Sequence, residues 1–399
     1  MPHTADPLEL LQALVAIDSV NPALSPGGAG EQAAADFCGR WLGERGFEVH
    51  RLERRPGRPS VVGVLKGTGG GRSIMLNGHL DTVAYGTYEG DPLSPRVEDG
   101  PVHGPVHGPV HGRVYGRVYG RGAFDMKSGV AAMLAAAARA TAAGRLRGDV
   151  IVACVADEEH ASSGTEEVLE RFTADGAVVT EPSMLEVTLA HKGFAWFEVD
   201  VLGRAAHGSR PDLGIDAIAK AGHFLVALEE LGARLAAAGR HPLLGPGTVH
   251  ASMIDGGEGP STYPARCRIT VERRTVPGEP AAAVRDELAA ILDRLAATVP
   301  GFRYELRAGL HREPFEADPG APITRVLLAQ AERVLGRSPV IRAEPFWTDC
   351  ALLAAAGIPC LLFGVSGGGA HADEEWADIA ALHQVTDVLT GTVTEFCAG

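Results

Sequence analysis

Four short apolar runs in this chain stop abruptly at residues that can ligate a cation, and this recurrence limits the fold more than any other feature. SIMLN (73–77) runs into GHLDTV, which carries His79 and Asp81. VIVACVA (150–156) runs into Asp157, Glu158 and Glu159, AVVT (177–180) into Glu181, and PCLLFG (359–364) into VSGGGAH with His371. The runs alternate with Ala- and Leu-rich stretches of helical length, among them 129–143 and 321–336. That alternation predicts an α/β fold with a mostly parallel sheet. In open sheets of this kind, binding sites form beyond the carboxyl ends of the strands, so these residues are expected to converge.

A fifth group, Asp125, sits in GRGAFDMK just before the 129–143 helix. Singly, each such residue has an ordinary explanation as a turn or capping residue. Five of them meeting at one sheet edge do not. Carboxylate and imidazole donors without thiolate indicate a catalytic metal site and not a cysteine-built structural one.

At 399 residues the chain is too long for one ordinary core, and two domains are expected. Between about 188 and 310 the pattern changes. FAWFEVDVLG and CRITVERRTV alternate like half-exposed strands, and helical stretches cover 214–239 and 280–298. This predicts a smaller α+β lid or dimerisation domain (188–310) inserted between two parts of a catalytic domain (1–187 and 311–399).

Several partner classes are disfavoured. The formal charge of -14 opposes nucleic-acid binding, which needs clustered Lys and Arg. The opening MPHTADPLELLQALVAID reads as an amphipathic first helix rather than a signal peptide, and no run approaches the length of a membrane span. Six scattered cysteines, several inside apolar runs, fit buried free thiols and a cytoplasmic location. The tandem repeat PVHGPVHGPVHGRVYGRVYGRG (101–122) spaces His103, His107 and His111 as a metal-binding helix would. Its recurrent Gly and Pro forbid a stable helix, so a surface loop is expected.

With these motifs in place, the chain resembles the metallopeptidase and deacylase family of acetylornithine deacetylase, succinyl-diaminopimelate desuccinylase and glutamate carboxypeptidase. The resemblance rests on GHLDTV, GRGAFDMK, DEE, TEPS, GRAAHGSRPDLGIDAI, ERRTVPGE and GGGAHADEE, and covers nearly the whole chain. It implies two divalent metal ions, zinc first, with cobalt or manganese as alternatives. Asp125 would bridge them, His79 and Glu181 would complete one, and Glu159 and His371 the other. Asp81 would hold the His79 ring through its second nitrogen. Glu158 would act as general base and acid.

The chemistry suits these roles, because paired cations roughly 3.5–4 Å apart hold a hydroxide whose parent water has its pKa lowered to about 7. From the inserted domain, the resemblance implies that His207 stabilises the oxyanion, commonly across a homodimer interface, and that Arg274 binds a substrate carboxylate. The expected substrate is an N-acyl amino acid, as for acetylornithine deacetylase, with a carboxypeptidase or dipeptidase reaction on a short peptide as the runner-up. Ser128 stands where relatives usually have Gly, and Ser261 where many have a substrate-contacting Asn.

Three other readings compete. Gly364–Gly368 matches the G-x-S-x-G elbow of serine hydrolases, with Ser366 as nucleophile and Asp373, Asp378 and His383 following. That reading leaves the cation ligands unexplained. A non-catalytic relative is opposed by the complete ligand set and the intact Glu158. A dinucleotide fold is opposed because GTGGGRS (67–73) precedes its strand instead of following it.

Overall fold

The computed structural model describes residues 5–99, 116–144, 146–239 and 241–399. The part of the repeat holding His103, His107 and His111 lies outside the described residues. The chain divides into two compact units. One takes the chain up to Leu189 together with Ala317–Arg342 and Thr348–Gly399; the other comprises Ala190–Glu316 and Ala343–Trp347.

The first unit is a mixed α/β fold whose central strands are parallel. Its sheet runs in the order Glu48–Leu52, Ser60–Leu65, Val150–Val155, Ile74–His79, Gly176–Val179 and Cys360–Leu362, and Thr188 then pairs with Leu362. The strands from Val150–Val155 to Cys360–Leu362 pair in parallel, and those outside them are antiparallel. The four parallel strands are therefore the four apolar runs SIMLN, VIVACVA, AVVT and PCLLFG. Val150–Val155 is buried at every position, which is why it shows no polar alternation.

Helix Lys127–Ala142 packs on strand Ile74–His79 and against helices Pro7–Val15 and Ile379–Phe396. It is apolar on nearly all sides, and its run of alanines lets these neighbours approach closely. Asp6 caps the first helix, its side chain accepting the N–H of Leu8 at 3.0 Å, with Pro7 at the first helical position.

A small antiparallel sheet also belongs to this unit, in the order Gly367–Gly368, Trp376–Asp378, Gly116–Tyr119, Arg96–Asp99. Asp99 pairs with Gly116, so the strands on either side of residues 100–115 meet in register. Gly116–Tyr119, which falls within the repeat, is therefore a mostly buried strand and not a surface loop, because it pairs with both Arg96–Asp99 and Trp376–Asp378, and from it the chain runs on to Asp125.

The second unit is a four-stranded antiparallel sheet in the order Thr248–Gly256, Arg266–Thr275, Gly193–Leu202, Arg303–Arg312. Phe197, Val199, Val201, Ile269 and Val271 alternate onto one face and are buried with Phe224, Leu288 and Leu292 of helices Ala217–Ala237 and Ala281–Thr298. The opposite face carries Trp196, Glu198, Arg268, Glu272 and Arg274. Within it, Asp200 is ringed by Arg266, Arg268 and Arg307.

Candidate metal centre and active site

The parallel strands explain why distant residues meet. His79 ends its strand opposite Val155, and Asn77 lies opposite Val179. Glu158, Glu159 and Glu181 follow those strand ends, so all emerge at one sheet edge. Glycine makes this closeness workable: a Cβ at Gly364 would lie 2.0 Å from the Glu181 main-chain oxygen. The small sheet adds the remaining ligands, because Trp376–Asp378 pairs with Gly116–Tyr119 and places the His371 and Asp125 loops side by side.

Two donor groups result, sharing Asp125. His79, Asp125 and Glu181 form one; Asp125, Glu159 and His371 form the other. Asp125 Oδ1 lies 3.3 Å from His79 Nε2, which is 3.4 Å from Glu181 Oε1. Asp125 Oδ2 lies 3.4 Å from His371 Nε2, which is 3.2 Å from Glu159 Oε2. One carboxylate therefore turns a different oxygen to each group.

The donors fit a pair of divalent ions. Ligand atoms about 2.0–2.2 Å from one tetrahedral ion lie roughly 3.3–3.6 Å apart, close to these separations. Among the described residues, His79 Nε2 and Glu159 Oε1 are buried without a hydrogen-bond partner, as atoms reserved for a cation would be. Glu158 belongs to neither group, and its Oε2 lies 3.9 Å from His79 Nε2.

The electrostatics point the same way. Burial, reinforced by the charge of Glu181, pushes the Glu158 carboxyl well above its usual range. Burial raises Glu181 well above that range too, against the pull of His79, and lifts Glu159 to about 7. Burial opposes charge on His79, yet Glu181, Asp125 and Glu158 hold its pKa well above the ordinary value. Hydrogen bonds to Asp125 and Glu159 hold His371 up at about 10. Burial opposes ionisation of Asp125, but His371 and His79 keep its carboxyl well below the usual range. A cation bound among these crowded carboxyls would replace the protons that burial makes them hold.

Asp81 plays a wider part than orienting one ring. His79 Nδ1 lies 2.9 Å from the Asp81 main-chain oxygen but 3.6 Å from its carboxylate. The ring is thus held by the peptide carbonyl. The carboxylate instead accepts the N–H groups of Glu158 at 3.1 Å and Glu159 at 3.2 Å, plus Asn21 Nδ2 at 2.7 Å. Asn21 also donates to Asp157, which Arg58 links to Glu31 through buried contacts. Asp157, beside the donors, and His371, one of them, both adopt positive φ (69° and 62°), a conformation that costs of order 1–3 kcal/mol and persists where surroundings impose it.

Sequence reasoning missed Asn21, Arg58, Glu31 and Glu375. The motif SVNP and the final Glu of GGGAHADEE were the only traces of them. Ser128 is accommodated by donating its hydroxyl to the Phe124 carbonyl at 3.2 Å.

His207 and Arg274 lie in the second unit. His207 is exposed, and its Nδ1 accepts the N–H of Ser209 at 3.2 Å. The same nitrogen lies 2.8 Å from the Ser209 hydroxyl oxygen. Ser261 accepts the Gly208 N–H through its main-chain oxygen, at 2.7 Å. Arg274 sits over the Phe194 ring and pairs with Glu272 at 2.9 Å. The serine-hydrolase alternative fails locally. Ser366 is followed by strand Gly367–Gly368, not the helix an elbow requires, and it donates to Asp378 at 3.1 Å.

Comparison with known proteins agrees with this geometry. Peptidase family M20/M25/M40 matches residues 75–395. An acetylornithine deacetylase from Myxococcus xanthus is 31% identical over 346 residues, 85% of this chain and 84% of that protein. An N-formyl-4-amino-5-aminomethyl-2-methylpyrimidine deformylase from Bacillus subtilis is 27% identical over 428 residues, 99% of this chain and 96% of that protein. In fold, the chain is similar to a tripeptidase from Staphylococcus aureus at a TM-score of 0.78. The two are 18% identical, with 99% of this chain and 98% of that one covered.

Proposed function

The chain belongs to peptidase family M20/M25/M40 and is a metal-dependent hydrolase of amide or peptide bonds, and we propose that it removes the acyl group from a small N-acyl amino acid. Two-metal hydrolysis is supported most directly by Asp125, whose two oxygens face two separate donor groups while Glu158 stands outside both, and the choice of an N-acyl amino acid by the similarity to an acetylornithine deacetylase.

In this reading His79 and Glu181 would hold one ion, Glu159 and His371 the other, and Asp125 would contribute to both. Zinc is favoured, with cobalt or manganese as alternatives. Bound there, the ions would lower the pKa of a water and polarise the scissile carbonyl. Glu158 takes the proton of the attacking water as its oxygen bonds to the carbonyl carbon. It returns that proton to the leaving nitrogen as the C–N bond breaks. A carboxyl whose pKa is pushed upward by burial is suited to both halves of that transfer. His207 donates through Nε2 to the oxyanion, and Arg274 binds the free carboxylate of the substrate.

A homodimer through the second unit fits its exposed apolar groups. Met253 and Ile254 are 69% and 56% exposed on strand Thr248–Gly256, which ends its sheet. A reducing cytoplasm fits six free, buried cysteines. Among the described residues no helix is long and apolar enough to cross a membrane.

Turnover of a panel of N-acetyl, N-succinyl, N-formyl and N-carbamoyl amino acids and dipeptides, with added zinc, cobalt or manganese, tests the substrate class. Hydrolysis of the acylated amino acids is expected. Turnover of dipeptides alone would replace this reading with the peptidase one.

A further inference from the structure

Glu375 is 1% exposed, yet its carboxylate lies at the centre of four donors. Oε1 accepts the N–H of Phe124 at 3.0 Å and of Asp125 at 2.9 Å. Oε2 accepts the N–H of Gly122 at 2.9 Å and Arg121 Nη1 at 2.9 Å. Main-chain N–H groups turned inward in this way form a nest that needs an anion at its centre. The loop that launches Asp125 is therefore shaped around Glu375.

The opposite loop is tied to the same carboxylate. Arg121, 3% exposed, sends its second terminal nitrogen to the main-chain oxygen of Ala372 at 2.9 Å, one residue after His371. The Gly120 N–H reaches the Glu375 main-chain oxygen at 3.1 Å. Glu375 and Arg121 thus fasten the Asp125 loop to the His371 loop, and do so without touching either donor side chain.

We propose that Glu375, acting with Arg121, is a positioning residue that fixes Asp125 against both donor groups and so sets the affinity of both metal positions. This rests on the metal-site reading above. A buried carboxylate that served only to stabilise the fold could be replaced at a cost in stability alone. One that sets ligand geometry cannot, since displacing Asp125 disturbs both groups it joins. Loss of a partner that orients a metal ligand typically costs about 10–100-fold in affinity or activity.

The test is a cobalt(II) titration of metal-free protein, followed by its visible absorption, on the unaltered chain and on Glu375→Gln. Glutamine keeps the shape and one oxygen, but turns an amide nitrogen towards two donors and leaves the Arg121 charge unbalanced. The unaltered chain should take up two ions. Folded Glu375→Gln should bind both at least about tenfold more weakly, with a changed absorption spectrum and a lower kcat at unchanged KM. Wild-type affinity and spectrum in folded Glu375→Gln would overturn the proposal. Uptake of fewer than two ions by the unaltered chain would instead overturn the metal-site reading. If Glu375→Gln does not fold, Arg121→Lys serves: it keeps the charge but loses the fork that reaches both Glu375 and Ala372. Weaker cobalt binding is expected there, and unchanged binding overturns the proposal.

Discussion

Asp81 accepts the main-chain N–H of Glu158 at 3.1 Å, so a residue leaving one strand fixes the turn that follows its neighbour. The same carboxylate takes the N–H of Glu159 and the side chain of Asn21. In Asp81→Asn the new amide nitrogen faces at least one of these donors, while the peptide carbonyl that holds His79 remains. Activity should fall about 10–100-fold with the fold intact. Steady-state kinetics together with bound-metal content would check this, and near-normal kcat would show that the turn needs no such anchor.

Glu158 stands apart from both donor groups, and this separates proton transfer from metal binding. Glu158→Ala should retain both ions and lose about 10²–10⁴ in kcat, the usual contribution of a positioned acid or base. Metal analysis alongside kinetics decides the matter. Loss of metal would make Glu158 a ligand, and retained turnover would remove it from the chemistry.

Much of this site was legible before any coordinates, and the reason is geometric. His79, Glu158, Glu159 and Glu181 follow parallel strands, and parallel strands bring their carboxyl ends to one edge whatever the intervening sequence. Asp125 and His371 depend on the small sheet Gly367–Gly368, Trp376–Asp378, Gly116–Tyr119, Arg96–Asp99, whose short strands carry little periodicity. His371 was expected at the edge because it follows the PCLLFG run and Asp125 because it precedes the 129–143 helix, but which donors each would join came only from motif resemblance. The supporting partners were hidden for another reason. Glu375 accepts main-chain N–H groups, while Asn21 and Arg58 donate to the carboxylates of Asp81, Asp157 and Glu31, all across long sequence separations that no local pattern records. The transfer of Ala343–Trp347 to the second unit was equally silent in the sequence.

Removing the metal should expose the charge conflict as a pH dependence. Burial lifts the Glu159 carboxyl from 4.5 to about 7, so its contribution to stability is present below 4.5 and lost as pH rises through about 7. Asp125 and Glu159 lift His371 from 6.5 to about 10, so its contribution is present below 6.5 and lost as pH rises through about 10. Both act in one direction. The Tm of chelator-treated protein should therefore fall as pH is raised across this interval. Added zinc should raise Tm most at the alkaline end, since ions replace the protons held there. At a free-ion concentration of 100 Kd the gain is about 2.7 kcal/mol. A metal-free Tm that rises with pH over this interval would contradict the assignment.

Arg274 offers the sharpest test of substrate class, because its guanidinium is already engaged by Glu272 at 2.9 Å. A substrate carboxylate must share or displace that partner, while the Trp196 indole N–H still holds Glu272 at 3.1 Å. Hydrogen bonds to charged groups contribute about 1.5–3 kcal/mol, so Arg274→Ala should raise KM roughly tenfold or more with little change in kcat. Glu272→Gln keeps an acceptor for Trp196 but removes the competing charge, and should lower KM for a substrate with a free carboxylate. A substrate capped as its amide should be indifferent to both changes, since it offers the guanidinium no anion. Kinetics on the acid and amide forms of one substrate separate the cases. Equal KM for the parent and Arg274→Ala on the acid form would reduce Arg274 to one half of an ion pair on a strand face.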